Sequence, residues 1–348
     1  MTAFEAARQV LLEGTRTAFP AAVIDVGRHD RVLWQEAFGV LSGAPEAPPT
    51  TIDTLFDLAS LTKVLATTTL AMAAVDAQCL AVDDFVSHRI SEWRNDTRDM
   101  VTIEDLLGHA SGLTAHLPFF RDHRGRAEFE HAICTLPLEY PPRSKSIYSD
   151  LGFILLGFLL EDARRAALDT QFKQLVTQHE WGEIGFRTDP ATRGRVAPTE
   201  VDPWRNRLLV GEVDDGNTWA LGGVAGHAGL FGTAAAVGSF ARTVLQQAAG
   251  DTPLAQPETF RQFTTPSTVP ESSRALGWDT MLPTSSCGTL MSSRAIGHTG
   301  FTGTSLWIDP GSDAYVVLLT NRVCPSRAND RILRVRPVLH DAVMAALP

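Results

Sequence analysis

The opening "MTAFEAARQVLLEGT" carries its apolar residues at the spacing of an amphipathic helix. Two β-rich runs follow, "AAVIDVG" and "RVLWQEAFG", separated by "RHD", which predicts a hairpin. "VLSGAPEAPPTT" is a proline- and glycine-rich loop. From Ser60 to about Ala81 the chain is apolar on every side, the pattern of a buried helix. Helical patterns broken by long loops then continue to about residue 240. Among them, "TIEDLLGHASGL" opens with Thr102 three residues before Asp105, a capping-box arrangement, and "YSDLGFILLGFLLEDARRA" is an apolar helix with a charged end. β-pattern returns in "GTSLWIDP" and "DAYVVLLTN", joined by the turn "DPGSD", before a closing helix in "NDRILRVRPVLHDAVMAAL". Strands at both ends imply that the termini meet in one sheet. Residues 1–64 and 240–348 are therefore expected to form a discontinuous sheet domain, with 65–239 as a mainly helical insertion.

Composition narrows the class of molecule. The chain has 348 residues, 44% hydrophobic and 20% charged, with no biased tract, which suits a large core in one big domain or two interleaved ones. The net charge of −10 comes without a basic stripe or arginine-rich arm, so nucleic acid is not an expected partner. Cys79, Cys134, Cys287 and Cys324 lie far apart with no C-x-x-C, and they read as buried free thiols of a reducing compartment. The acidic first residues do not look like a signal peptide. "LGFILLGFLL", the longest apolar run, has about half of the roughly 20 residues needed to cross a bilayer. A cytoplasmic protein with no membrane span is the expectation.

The candidate chemistry starts from a scarcity. Lysine occurs only at positions 63, 145 and 173, and Lys63 stands three residues after Ser60 in "FDLASLTKVLATTTLAM". A helix-capping serine with a surface lysine explains the tetrapeptide alone. Yet its flanks offer no polar face for a solvated ammonium, and residues three apart share one face of a helix. Desolvation would lower the lysine pKa and free an amine to take the proton from Ser60 Oγ. Tyr148, one of three tyrosines, begins an apolar helix; beside a cationic lysine its phenol could be held as phenolate and serve as acid or base. On its own it could equally be a half-buried tyrosine at a helix end. "GHTGFTGTSLWIDP" sets His298, Thr299 and Gly300 before a strand, where glycine would let a substrate lie close to the strand edge.

Together, "FDLASLTK", "VTIEDLLGHASGL", "YPPRSKSIYSDLGFILLG", "GGVAGHAGLFGTA" and "GHTGFTGTSLWIDP", in that order, resemble the serine β-lactamase and penicillin-binding-protein superfamily. The resemblance is to its class C-like branch of D-alanyl-D-alanine carboxypeptidases, esterases and β-lactamases, and it runs from about residue 20 onward. It implies an α/β (α+β) fold, β-lactamase/transpeptidase-like, with an antiparallel sheet flanked by helices plus an all-helical domain, and the active site between them. It further implies that Ser60 is the acylated nucleophile, Lys63 its base and Tyr148 the proton relay to the leaving group. The N–H groups of Ser60 and Phe301 would form the oxyanion hole, and Asp150, His298, Thr299, Gly300 and Phe301 would line the substrate site. No metal or cofactor is implied.

Two positions depart from the family pattern. The usual Tyr-x-Asn reads Tyr148-Ser149-Asp150, and an ionised aspartate cannot donate a hydrogen bond. The usual Lys-Thr-Gly reads His298-Thr299-Gly300, which replaces an obligate cation by a group mostly neutral near pH 7. Small ester or peptide substrates are therefore expected, with slow or incidental β-lactam hydrolysis. The alternatives are a penicillin-binding sensor that acylates without turnover and a genuine class C-like β-lactamase. "GGVAGHAGLFG" lacks G-K-[ST] and is no P-loop, so His227 reads as a structural loop residue. No G-x-S-x-G surrounds Ser60, and "EVDD" at 212–215 reads as a solvated acidic loop.

Overall fold

The hairpin predicted near the N-terminus forms as β1 (Ala21–Gly27) and β2 (Val32–Gly39). This computed structural model describes residues 3–95, 97–251 and 254–347. Short strands follow at β3 (Phe56–Asp57), β4 (Ile184–Phe186), β5 (Val201–Asp202), β6 (Arg207–Leu208) and β7 (Leu230–Gly232). The last third adds β8 (Asp279–Thr280), β9 (Ile296–Thr299), β10 (Ser305–Asp309) and β11 (Ala314–Thr320). A six-stranded sheet runs in the order β2-β1-β11-β10-β9-β8, antiparallel at every pairing. The N-terminal hairpin thus docks on the last strand, with Ile24 opposite Leu318, and the two ends of the chain do share one sheet.

Every residue of β1 is buried because helices cover both faces of the sheet. Ala22, Ile24 and Val26 pack with Leu11 and Leu339 of the terminal helices Glu5–Thr17 and Ile332–Ala346. Val23 and Leu319 point the other way, into a core that includes Phe240 of the helix Ala234–Ala249 and the apolar helix Asp150–Arg164. Among the described residues, no helix is long and apolar enough to cross a membrane. All four cysteines are free thiols; three are buried as expected, whereas Cys79 is only half-buried.

Two features differ from the sequence pattern. A small second sheet, β3-β7-β4, joins the segment before Ser60 to two strands of the middle of the chain, which also holds a β5-β6 hairpin. Strands of two or three residues leave no alternation to detect. The segment after Ser60 is not one α-helix to Ala81. It winds as wide π-helical turns over Lys63–Thr68, becomes α-helical over Thr69–Asp76, and stops before Gln78 in a left-handed conformation. The threonines take part in this: Thr69 Oγ1 donates to the Val64 carbonyl at 2.9 Å and Thr67 Oγ1 to that of Gly226 at 2.5 Å. The capping box forms as predicted, with Thr102 and Asp105 exchanging both bonds at the start of Ile103–Leu107.

Candidate active site

Ser60 sits at the end of a turn that is held from several sides. Ala59 adopts a left-handed backbone, φ +46°, a conformation that costs an L-residue about 1–2 kcal/mol. Its amide donates to Asp57 Oδ1 at 2.8 Å, and Asp57 Oδ2 accepts from the Asp214 amide at 2.7 Å. Thr302 Oγ1 donates to the Asp57 carbonyl and Thr304 Oγ1 to the Leu58 carbonyl, at 2.7 and 3.1 Å. Gly300 packs against the same turn. A Cβ there would lie 2.7 Å from the Leu58 carbonyl and overlap the Thr304 hydroxyl. This corrects the sequence-based reason for Gly300: its missing side chain admits the backbone of the Ser60 turn.

Ser60 Oγ receives two hydrogen bonds, from Tyr148 OH at 2.7 Å and from Lys63 Nζ at 3.1 Å. Lys63 is fully buried, and its nitrogen also donates to Asp150 Oδ1 at 2.8 Å and to the His227 carbonyl at 3.1 Å. Burial pulls the Lys63 pKa below its ordinary value, and Asp150 resists. Burial works to raise the Asp150 pKa, but the Lys63 ammonium and His116 outweigh it and hold the carboxyl well below the usual range. Three acceptors around Nζ match the three donors of an ammonium. The lowering by burial expected from the sequence is present; the Asp150 counter-ion that opposes it, and holds the resting state as an ion pair, was not expected. The phenolate expected for Tyr148 is corrected. Burial and then the Asp150 charge push its phenol well above the ordinary value, so it stays protonated and is not a phenolate.

The strand β9 carries His298 and Thr299 to the same place, and the His298 ring lies 5.9 Å from that of Tyr148. His298 is buried, and burial together with the nearby Arg274 and Lys63 charges lowers its pKa well below the usual value. His298 Nδ1 lies 2.8 Å from the Thr299 carbonyl, which can only accept, so the proton sits on Nδ1. The neutral ring then offers Nε2 as a bare acceptor and supplies no charge for a carboxylate. The Phe301 amide follows on the loop after β9, and among the described residues neither it nor the Ser60 amide donates to a protein acceptor. Ser60, Tyr148, Asp150, His298, Thr299, Gly300 and Phe301 all border one cavity of about 740 Å³. Its lining includes Trp204, 50% exposed, and Phe301, 48% exposed, with the Arg322 and Arg327 guanidiniums over the Phe301 ring.

The sequence reading placed Asp150 in the substrate site but missed its pairing with Lys63, and it missed several other groups. Asp150 directs its oxygens to Lys63 and to His116, whose Nδ1 lies 3.4 Å away. Arg274 holds its guanidinium 5.1 Å from the centre of the Tyr148 ring, paired with Asp279 at 2.5 Å. His109 stacks between Tyr148 and Phe153 and accepts the Ser149 amide on Nδ1 at 3.0 Å. The "HASGL" segment was visible as a motif, but nothing in it names a partner. The acidic loop at 212–215 is also corrected: Asp214 is buried and Asp215 half-buried at the cavity. Burial works to raise Asp215, yet the His227 imidazole at 2.8 Å holds it at about 2. The His227 ring pairs with Asp215 at the cavity, while its carbonyl reaches the lysine.

A family model described as "Beta-lactamase" matches residues 6–339. A protein of Escherichia coli strain K12 named "Putative D-alanyl-D-alanine carboxypeptidase" is 30% identical over 345 residues, covering 87% of this chain and 79% of that one. Among solved structures, EstCE1, a hydrolase with promiscuous acyltransferase activity, aligns with a TM-score of 0.78 at 21% identity over 98% of both chains. A penicillin-binding protein homolog from Caulobacter crescentus gives 0.77 at 20% identity, over 99% of this chain and 98% of that one. At such identities the two solved structures speak to the fold alone.

Proposed function

This chain belongs to the beta-lactamase family, with the β-lactamase/transpeptidase-like fold, and from that premise we propose that it is a serine hydrolase that works through an acyl-enzyme on Ser60. Esters and D,D-peptides are its main substrates, and β-lactam hydrolysis is slow or incidental. The observation that carries this reading is the double hydrogen bond to Ser60 Oγ from Lys63 and Tyr148.

The chemistry runs as follows. Lys63, once it has released a proton to solvent, accepts the Ser60 proton while Oγ attacks the substrate carbonyl. The amides of Ser60 and Phe301 receive the oxyanion, and donors of this kind are typically worth roughly 3–4 kcal/mol of barrier each. Tyr148, kept protonated by burial, donates to the departing alkoxide or amine as a general acid and is reprotonated by Lys63. Water then attacks the acyl-enzyme by the reverse path. The neutral His298 supplies no cation for a substrate carboxylate, which favours uncharged esters over β-lactams and over D,D-peptides, both of which carry one. The Trp204 and Phe301 rings in the cavity lining suit an apolar acyl or alkoxy group.

A second reading has one specific support. Asp150 keeps the lysine protonated at rest, which would suit a penicillin-binding sensor that acylates and stays acylated. Rates on short-chain p-nitrophenyl esters, a D-Ala-D-Ala peptide and a chromogenic cephalosporin separate the readings. The proposal expects the esters or the peptide to turn over at least tenfold faster in kcat/KM than the cephalosporin. A clear preference for the cephalosporin contradicts it, and a lasting adduct without product favours the sensor.

A further inference from the structure

Arg336, on the C-terminal helix Ile332–Ala346, is 5% exposed at the border of the same cavity, and among the described residues the charge that acts on it is that of Arg322. Among the described residues neither arginine forms an ion pair with a carboxylate. Arg322 still feels the Asp214, Asp330 and Glu200 charges, whereas Arg336 has no carboxylate among the described residues to offset it; uncompensated buried charge is costly, and such a group asks for a reason. Arg336 Nη2 donates to the Gly300 carbonyl at 2.9 Å and to the Thr304 carbonyl at 2.8 Å, at the base of the 300–304 turn. Arg322 Nε donates to the next carbonyl, that of Phe301, at 2.8 Å, and its guanidinium lies 4.4 Å from the centre of the Phe301 ring. Two cations therefore grip the two carbonyls that flank Phe301.

The Gly300 carbonyl and the Phe301 N–H are the two ends of one planar amide. A charged donor on that oxygen draws electron density along the amide and makes the opposite N–H a stronger donor. A neutral side chain would satisfy the same carbonyl without that polarisation. Thr302, Thr304 and Gly300 already tie this turn to the Ser60 turn, so holding it in place does not by itself call for a buried cation. We propose that Arg336 is a positioning residue of the oxyanion hole, which acts through the Gly300–Phe301 peptide to orient and strengthen the Phe301 N–H. The proposal rests on the acyl-enzyme reading given above. No bond is made or broken at Arg336; its proton stays in place throughout.

The test uses the full chain and the variants Arg336→Gln and Arg336→Lys, with two readouts. One is kcat and KM on p-nitrophenyl acetate. The other is the infrared carbonyl stretch of an acyl-enzyme trapped with a slowly released acyl group. Arg336→Gln is expected to lower kcat by roughly ten- to a hundredfold with KM little changed, and to raise the carbonyl frequency as the hydrogen bond weakens. Arg336→Lys, which keeps the charge, is expected to recover most of the rate and to shift the band less. Should the glutamine variant not fold, Arg336→Met takes its place: an upward shift of the band supports the proposal and an unmoved band overturns it. An unmoved band in Arg336→Gln overturns it too, whether the rate is normal or is lost together with thermal stability. If the unmodified enzyme forms no adduct at Ser60, the acyl-enzyme reading fails and this proposal with it. Failure confined to the variants leaves that reading standing.

Discussion

At the scale of single residues, the protonation state of Lys63 decides whether the site can work. Burial lowers its pKa, but Asp150 at 2.8 Å keeps the resting group charged. The reactive form gains population only as pH rises through the lowered lysine pKa. Esterase activity is therefore expected to climb as pH rises through the lowered lysine pKa and to level off below 10.5, the lysine's ordinary value. Lys63→Arg should remove the climb and lower kcat by about a hundred- to ten-thousandfold, because arginine does not give up its proton. A flat pH–rate profile, or near-normal turnover in that variant, would show that another group accepts the Ser60 proton. Ser60, Lys63 and Tyr148 could be read from the sequence because each lies in a short motif with its own chemical rationale. The counter-ion could not. Asp150 is 87 residues from Lys63, and no local pattern announces that pairing or the resulting charge states of lysine and tyrosine.

At the scale of elements, the helix Asp150–Arg164 sets two functional side chains through its cap. Ser149 Oγ accepts the Gly152 amide at 3.3 Å and donates to the Thr114 carbonyl at 2.8 Å, while its own amide bonds His109. Tyr148 and Asp150 flank it in the chain and share its backbone placement. Ser149→Ala is expected to cost about 1 kcal/mol of stability, as loss of a helix cap does, and to lower kcat several-fold by loosening the Tyr148–Ser60 contact. Urea denaturation and ester kinetics check the two effects, and an unchanged kcat would remove the cap from the account. Long elements were legible for physical reasons: the hairpin β1–β2, the apolar helix and strands β10 and β11 each present a run of apolar or β-branched residues long enough to stand out between turn residues. The π-helical turns after Ser60 and the three-stranded β3-β7-β4 sheet were not. They depend on contacts such as Thr67 to Gly226, 159 residues apart.

At the scale of the whole molecule, the buried carboxyls behind the Ser60 turn couple its stability to pH. Burial raises the Asp57 pKa to about 6 and, with the Asp57 charge, that of Asp214 to about 7, against 3.8 for a free aspartate. Between about pH 4 and 7 the folded protein thus holds protons that the unfolded chain has lost, so these groups destabilise the fold as pH rises. Relative to Asp214→Asn, the natural protein should lose on the order of a few kcal/mol between pH 5 and 8. Urea midpoints at the two pH values test this; a difference between the proteins that does not change with pH would contradict it. The union of both chain ends in one sheet was legible, because strand patterns occur at both ends with helical patterns between. The acidic cluster was not, since Asp57 meets the Asp214 amide across 157 residues. The central claim is covalent chemistry at one hydroxyl, and peptide mass spectrometry of protein quenched during turnover of an activated ester reads it directly. The account predicts an acyl group on the peptide that contains Ser60, absent along with turnover in Ser60→Ala. An adduct on another residue, or undiminished hydrolysis by that variant, would contradict it.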